Sequence, residues 1–146
     1  MNPWDARELA RKLLAEHNLT SWSFAFNHRK RALGLCRYSK KQIELSLHYI
    51  QRNDQAAIRD TILHEIAHAI AGPAAGHGPK WVSACIKIGA KPERLDTTAN
   101  MPKGNYTAQC PSCQHLHHRY RKPLADRKYF CRKCGPAAGL LSFIAS

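Results

Sequence analysis

The spacing of apolar positions changes along the chain, and each change marks an element. From Pro3 to Leu19, Leu9, Leu13 and Leu14 recur among charged residues at helical spacing. That predicts an amphipathic helix buttressing the core, with Asn18 as its end signal. From Ser21 the period drops to two, with Trp22, Phe24 and Phe26 alternating with Ser23 and Ala25. A basic turn, Asn27-His28-Arg29-Lys30-Arg31, leads into Leu33-Gly34-Leu35-Cys36-Arg37-Tyr38. Ser39-Lys40-Lys41 then turns the chain into Ile43, Leu45 and Leu47, alternating with Gln42, Glu44 and Ser46. The pattern predicts a hairpin followed by a third strand, in all a three-stranded antiparallel sheet.

The helical period returns at Ile58, Ile62, Ile66 and Ile70, with Asn53 or Asp54 as cap and Gly72-Pro73 as stop. Thr61, His64, Glu65 and His68 fall on the other side of this helix, facing a cleft. After the flexible Gly72–Gly76 connection, His77-Gly78-Pro79-Lys80-Trp81 opens a further helix carrying Trp81, Val82, Cys85, Ile86 and Ile88. The stretch from Gly89 to Gly104, with Pro92 and Pro102, reads as a connection between two modules.

The polar side of the second predicted helix carries the chemistry. Two histidines four residues apart lie one turn apart on one face, so both rings reach a single tetrahedral metal ion. A carboxylate beside the first is placed to deprotonate a water on that ion and pass the proton to a leaving amine. His64 and His68 are therefore candidate zinc ligands and Glu65 the candidate general base. Catalytic zinc takes three protein groups. His77, the next histidine after a turn, is the leading third ligand, with Glu93 as the rival. The H-E-x-x-H-x-x-G-x-x-H arrangement is excluded, because Ala71 and Ala74 stand at its glycine and histidine positions.

Cysteine usage adds a second metal site. Four of the six cysteines form Cys110-Pro111-Ser112-Cys113 and Cys131-Arg132-Lys133-Cys134, the spacing of a four-cysteine zinc ribbon in a reducing compartment. Cys36 and Cys85 read as small buried residues, not nucleophiles. His115, His117 and His118 read as surface residues, since four cysteines already complete a tetrahedral site.

The 146 residues carry a net charge of +13 with a pI near 9.9, which draws the protein to polyanions. From Met101 to Cys134, Lys103, Arg119, Arg121, Lys122, Arg127, Lys128, Arg132 and Lys133 face Asp126 alone, with Tyr106, Tyr120, Tyr129 and Phe130 interleaved. Cations neutralise phosphates and aromatic rings stack on unpaired bases, so single-stranded DNA is the favoured partner. The sequence has no spanning hydrophobic run and no signal-peptide pattern, so a cytoplasmic protein with no membrane association is expected.

In chain order, Gly34-Leu35-Cys36-Arg37-Tyr38, Ile43-Glu44-Leu45-Ser46, His64-Glu65-Ile66-Ala67-His68 and His77-Gly78-Pro79-Lys80-Trp81 resemble the SprT-like (Spartan-type) zinc metalloproteases. The resemblance runs from about Trp22 to the second C-x-x-C. It implies His64, His68 and His77 as zinc ligands and Glu65 as catalytic base. Spartan-type members are similar in being DNA-stimulated proteases that degrade proteins crosslinked to DNA.

The expected architecture is α+β: a minimal zincin-like metalloprotease domain over residues 1–95, a linker over 96–104, and a zinc ribbon with its tail over 105–146. The protease domain comprises an N-terminal helix, the antiparallel sheet, the HExxH helix and a second ligand helix. The expected function is zinc-dependent peptide hydrolysis on DNA-associated or DNA-crosslinked proteins. The expected complement is two Zn2+ per chain, one catalytic and one structural, on a monomer. The alternative is a nucleic-acid-binding accessory protein with a non-catalytic HExxH zinc site.

Overall fold

In a computed structural model describing every residue except Leu95, Thr97 and Ser146, the chain forms two units, Met1–Met101 and Pro102–Ser146. The expected domain end at Leu95, one residue of the expected linker and the last residue of the tail lie outside the described residues.

The first unit is α+β. Its elements are α1 (Pro3–Glu16), β1 (Ser23–Asn27), β2 (Gly34–Arg37), β3 (Gln42–Ser46), α2 (Leu47–Arg52), α3 (Gln55–Ala71), a 3-10 turn (Pro73–Ala75) and α4 (Pro79–Ile88). Asn2 caps α1 by accepting from the Asp5 amide at 3.0 Å, and Pro3 occupies a first-turn position where no amide is needed. Asn18, at φ 60°, turns the chain out of the helix. Ala6, Ala10, Leu13 and Leu14 are the buried face.

The sheet corrects the antiparallel expectation. Its order is β1-β3-β2, with β1 parallel to β3 (Phe24 opposite Ile43) and β2 antiparallel to β3 (Cys36 opposite Ile43). The hairpin is β2–β3, where Lys41 adopts φ 47° and its amide donates to the Tyr38 carbonyl at 3.1 Å. No tight turn forms after β1. Instead the connection over residues 28–33 passes along β3, with the Ser46 amide donating to the Leu33 carbonyl at 2.9 Å and the Ser46 hydroxyl donating to the Arg29 carbonyl. The physical reason lies in β3, where Ile43, Glu44, Leu45 and Ser46 are all buried. A strand buried on both faces belongs in the middle, and the alternation of Ile43 and Leu45 with polar residues concealed this. Buried Glu44 is paired with Arg37 of β2 and accepts from Asn27 Nδ2 of β1 at 3.2 Å. Leu47, expected to extend the strand, begins α2.

Helix α3 is capped by Asp54, whose side chain accepts from the Ala57 amide at 2.9 Å, and ends at Gly72, at φ 90°. It packs against α1, β2, β3 and α4. Being surrounded, it is not the two-sided helix that periodicity implies. Ile58, Ile62 and Ile66 are fully buried, but so are Leu63, Thr61 and Glu65 nearly so, while Ile70 is 45% exposed near the end. Thr61 satisfies its hydroxyl with Tyr49 Oη at 2.8 Å. In α4, Trp81 and Cys85 are buried and Ile86 is exposed.

The second unit comprises β4 (Tyr106–Gln109), β5 (Leu116–Arg119), β6 (Tyr129–Phe130), α5 (Gly135–Ala138), β7 (Leu140–Leu141) and β8 (Ile144–Ala145). Strands pair as an antiparallel β5-β4-β8 sheet and a β6-β7 ladder. Its core is tiny: Ala108, Cys110, Cys131 and Leu141, flanked by Tyr129 and Phe143.

Removing the α3 cap by Asp54→Ala should cost about 1 kcal/mol, the usual value of an N-cap. Urea denaturation should show a lower midpoint at unchanged slope.

Candidate active site and metal centres

Helix geometry places His64 and His68 on one face of α3, with ring centroids 5.0 Å apart. Gly72 ends the helix, the 3-10 turn follows, and Gly76, at φ 51°, sends the chain back so that His77 meets them. The His77 ring lies 5.5 Å from His64 and 4.7 Å from His68. His68 Nε2 and His77 Nε2 are 3.2 Å apart, and one ring nitrogen from each of the three histidines lies within 4.8 Å of the others. A tetrahedron with metal–nitrogen bonds of about 2.0–2.1 Å separates neighbouring nitrogens by about 3.3 Å, so this donor set fits zinc. Glu93 is exposed on the cleft wall and is not part of the group.

Trp81 supports the cluster. It is stacked on His68 at 5.3 Å, lies 4.7 Å from both His64 and His77, and donates from Nε1 to the His64 carbonyl at 3.3 Å. The sequence placed Trp81 in the helix core without giving it this task.

Glu65 is 6% exposed and lies against β2 at the floor of the histidine cluster's helix face. Gly34 makes this possible: a Cβ built there would sit 2.9 Å from Leu45 Cδ2, 3.0 Å from Glu65 Oε1 and 3.1 Å from Glu65 Cγ. Burial pushes the Glu65 carboxyl up to about 8. Burial, then the neighbouring histidines, lowers His64 and His68 to about 4, and His77 is lowered by burial and by Arg94. All three rings are thus neutral near pH 7, the state in which imidazole binds metal.

The histidines and Glu65 line a cleft of about 970 Å³. One wall is β2 with its flanks, from Arg31 to Tyr38. The other is the segment after α4, fixed where the Lys91 amide donates to Asp60 Oδ1 at 3.0 Å and where Asn53 and Asn100 exchange hydrogen bonds of 2.8 and 3.0 Å. Cys36 is half-buried on this cleft, not in the core. Burial, and then Glu65, pushes its thiol up to about 12, which leaves it no nucleophile. Cys85 is fully buried as expected.

In the second unit, Cys110, Cys113, Cys131 and Cys134 bring their sulfurs within 4.8 Å of one another, and Cys113 Sγ lies 3.8 Å from Cys131 Sγ. A zinc–sulfur bond of about 2.3 Å gives a tetrahedral edge of about 3.8 Å, so these residues also fit the metal. The Cys113 amide approaches Cys110 Sγ at 3.5 Å, and this donor holds that thiol low. Arg121, Lys122, Arg127, Lys128, Arg132 and Lys133 are exposed. Arg119 differs from them: its guanidinium lies 4.3 Å over Tyr129 and 5.8 Å from the Phe143 ring, part of the small core. His115 and His118 are exposed as expected. His117 is half-buried, and its Nε2, like Arg119 Nε, is shut off from solvent with no hydrogen-bond partner among the described residues. Both residues line a cavity of about 780 Å³ together with Phe130, Arg132 and Lys133. Alternation along β5 puts 117 and 119 on one face, a signal available in the sequence.

The SprT-like family model matches residues 6–101. Protein SprT of Pectobacterium carotovorum subsp. carotovorum (strain PC1) is 23% identical over 133 residues, spanning 84% of this chain and 78% of its own length. Protein SprT of Proteus mirabilis (strain HI4320) is 26% identical over 121 residues, spanning 75% and 71%. Among solved structures, the metallopeptidase zymogen of Methanocaldococcus jannaschii jannalysin matches with a TM-score of 0.50 at 18% identity, over 64% of this chain and 84% of that one. At that identity the likeness is one of fold.

The opposed shifts predict the pH dependence of metal-free stability. For His64 and His68, at about 4 folded against 6.5 unfolded, the unfolded chain binds more protons between these values, so stability is lost as pH falls from 6.5 through 4. For Glu65, at about 8 against 4.5, the folded chain binds more, so stability is lost as pH rises from 4.5 through 8. Urea denaturation of chelator-treated protein across this range should show Glu65→Gln removing the alkaline-side decline while the acid-side loss persists.

Proposed function

The chain belongs to the SprT-like family, and from that premise we propose that it is a zinc-dependent metalloendopeptidase, with His64, His68 and His77 holding the metal and Glu65 as its base. The observation that carries the reading is the convergence of three neutral imidazoles, within 4.8 Å of one another, beside a buried carboxylate on one helix. A purely structural site would call for a fourth protein ligand and no such base.

When bound there, zinc supplies Lewis acidity toward a peptide carbonyl and lowers the pKa of water toward about 7. The remaining work belongs to the protein. Among the described residues no strand pairs with the outer side of β2, so an extended peptide can add to that edge, along the wall of the cleft. Glu65 accepts the proton of the attacking water on its carboxylate and delivers it to the leaving amine. Burial equips it for this, because a carboxyl whose pKa is raised toward neutrality both takes and gives a proton near pH 7.

The second unit is proposed as a four-cysteine zinc ribbon that binds nucleic acid, single strands in preference, with DNA-associated or DNA-crosslinked proteins as the substrates. Support comes from its exposed cations and from the cavity lined by His117, Arg119, Arg132 and Lys133 beside exposed Phe130. Exposed cations suit phosphate oxygens, and an exposed ring suits a base. No helix among the described residues is long and apolar enough to cross a membrane.

Cleavage of an unstructured, basic DNA-binding protein, with and without single-stranded DNA, tests the enzyme. Glu65→Gln should keep two zinc ions by elemental analysis and lose about 100- to 10,000-fold in rate. Two zinc ions and tight DNA binding with no cleavage by wild type would favour the accessory-protein alternative. Arg132→Ala with Lys133→Ala should weaken oligonucleotide binding and flatten its salt dependence.

A further inference from the structure

The first unit has basic residues of its own, outside the ribbon and at the rim of its cleft. Between His17 and Asn53 Glu44 is the sole acidic residue. Of the basic ones, Arg29, Lys30 and Arg31 lie where the chain meets the Ser46 end of β3, with Arg52 on the helix that follows, while Arg37, Lys40 and Lys41 lie at the strand's Gln42 end. Glu44 is buried and paired with Arg37, so it does little to offset the others. The acidic residues of the unit lie elsewhere, in α1, around α3 and on the far cleft wall.

The connection between β1 and β2 concentrates this charge. His28, Arg29, Lys30 and Arg31 are all exposed, on a backbone fixed at several points. The Arg29 amide donates to Asn27 Oδ1 at 3.1 Å, the Arg29 carbonyl accepts from the Ser46 hydroxyl, and the Leu33 carbonyl accepts from the Ser46 amide at 2.9 Å. Helix α2 adds His48 and Arg52, with Arg52 donating to the His48 carbonyl at 3.0 Å. Ser46, the residue before α2, joins the two segments through its hydrogen bonds to Arg29 and Leu33, and the His48 pKa is lowered by desolvation and then by Arg52, Lys30 and His28. The patch also reaches the proposed active site, because Arg31 and Leu33 line the cleft that holds Glu65.

We propose that this surface, formed by the β1–β2 connection and α2, is a second docking site for the phosphate backbone of nucleic acid, placed at the rim of the cleft. A fixed backbone presenting several cations without interposed carboxylates loses little freedom on meeting a polyanion, and each neutralised phosphate releases counterions. Nucleic acid fits better than an anionic membrane, since Leu33, the large apolar residue of the connection, is half-buried and packed against the core, whereas a membrane-surface element needs an exposed one. The inference rests on the proposed nucleic-acid partner but locates a contact outside the ribbon. A strand held here passes beside the cleft, where a protein attached to it meets the proposed base.

The test measures binding of the full chain to a fluorescent oligothymidylate over a range of salt, for wild type, for Arg29→Glu with Arg52→Glu, and for Arg132→Glu with Lys133→Glu in the ribbon. Loss of two phosphate contacts should make the log K against log salt slope of the first pair shallower by about 1.4, with affinity reduced about tenfold or more at low salt. A wild-type slope in that pair, with the ribbon pair weakened, overturns the second site and leaves the ribbon reading intact. No binding by wild type overturns both readings, and binding to phosphatidylserine vesicles in place of the oligonucleotide overturns the choice of partner. Amine-reactive labelling of wild type guards against misfolded variants: the oligonucleotide should protect Lys30 but not Lys12 of α1, and equal labelling of Lys30 with and without it counts against the proposal.

Discussion

Glu65 is held out of water on a helix that the rest of its unit surrounds, and a carboxylate in that position favours its protonated form unless something compensates. Much of the unit is arranged to satisfy this constraint. Helix α3 is packed on by α1, β2, β3 and α4, which fixes its rotation and so the direction of every side chain on it. The same rotation that turns Glu65 toward β2 turns His64 and His68 toward the returning chain at His77. Trp81, anchored by its own hydrogen bond to the His64 carbonyl, closes the cluster from α4. Catalytic-type geometry and core packing are here one arrangement.

The two units solve stability differently. The first has a contiguous core running from Ala6 to Ala90 and gains its order from apolar burial. Among its described residues the second has a core of four buried side chains, two of them cysteines, in a unit of about 45 residues. So small a core rarely suffices without a staple, and a metal held by four thiolates is the staple that its composition allows.

The positions of α1, α3 and α4, the Asp54 cap and the gathering of the three histidines and of the four cysteines were legible because each depends largely on local spacing. Asp54 caps where a cap was expected, and the H-E-x-x-H phase needs only 3.6 residues per turn. The sheet was not legible in the same way. Alternation at Ile43 and Leu45 reports that one face is apolar, but says nothing of which neighbour pairs with β3 or of the Asn27–Glu44–Arg37 group that lets its polar face be buried too. The burial of Thr61 and Glu65 escaped for a related reason. Their partners, Tyr49 and Gly34, are remote in sequence, and only tertiary contact makes a polar position an interior one. His117 escaped because counting ligands around four cysteines left it without a role, while its burial depends on strands that pair later in the chain.

Gly34 and Glu65 share a single volume: the carboxylate occupies the space that a Cβ on β2 would fill, 3.0 Å from Oε1. The two positions are therefore not independent in inheritance. A side chain at 34 would press on Glu65 and, at 2.9 Å, on Leu45 Cδ2 together, so a change at 34 calls for adjustment on both the helix and the central strand. An absent side chain on a strand is thus as much a part of the cleft as any residue that reaches into it.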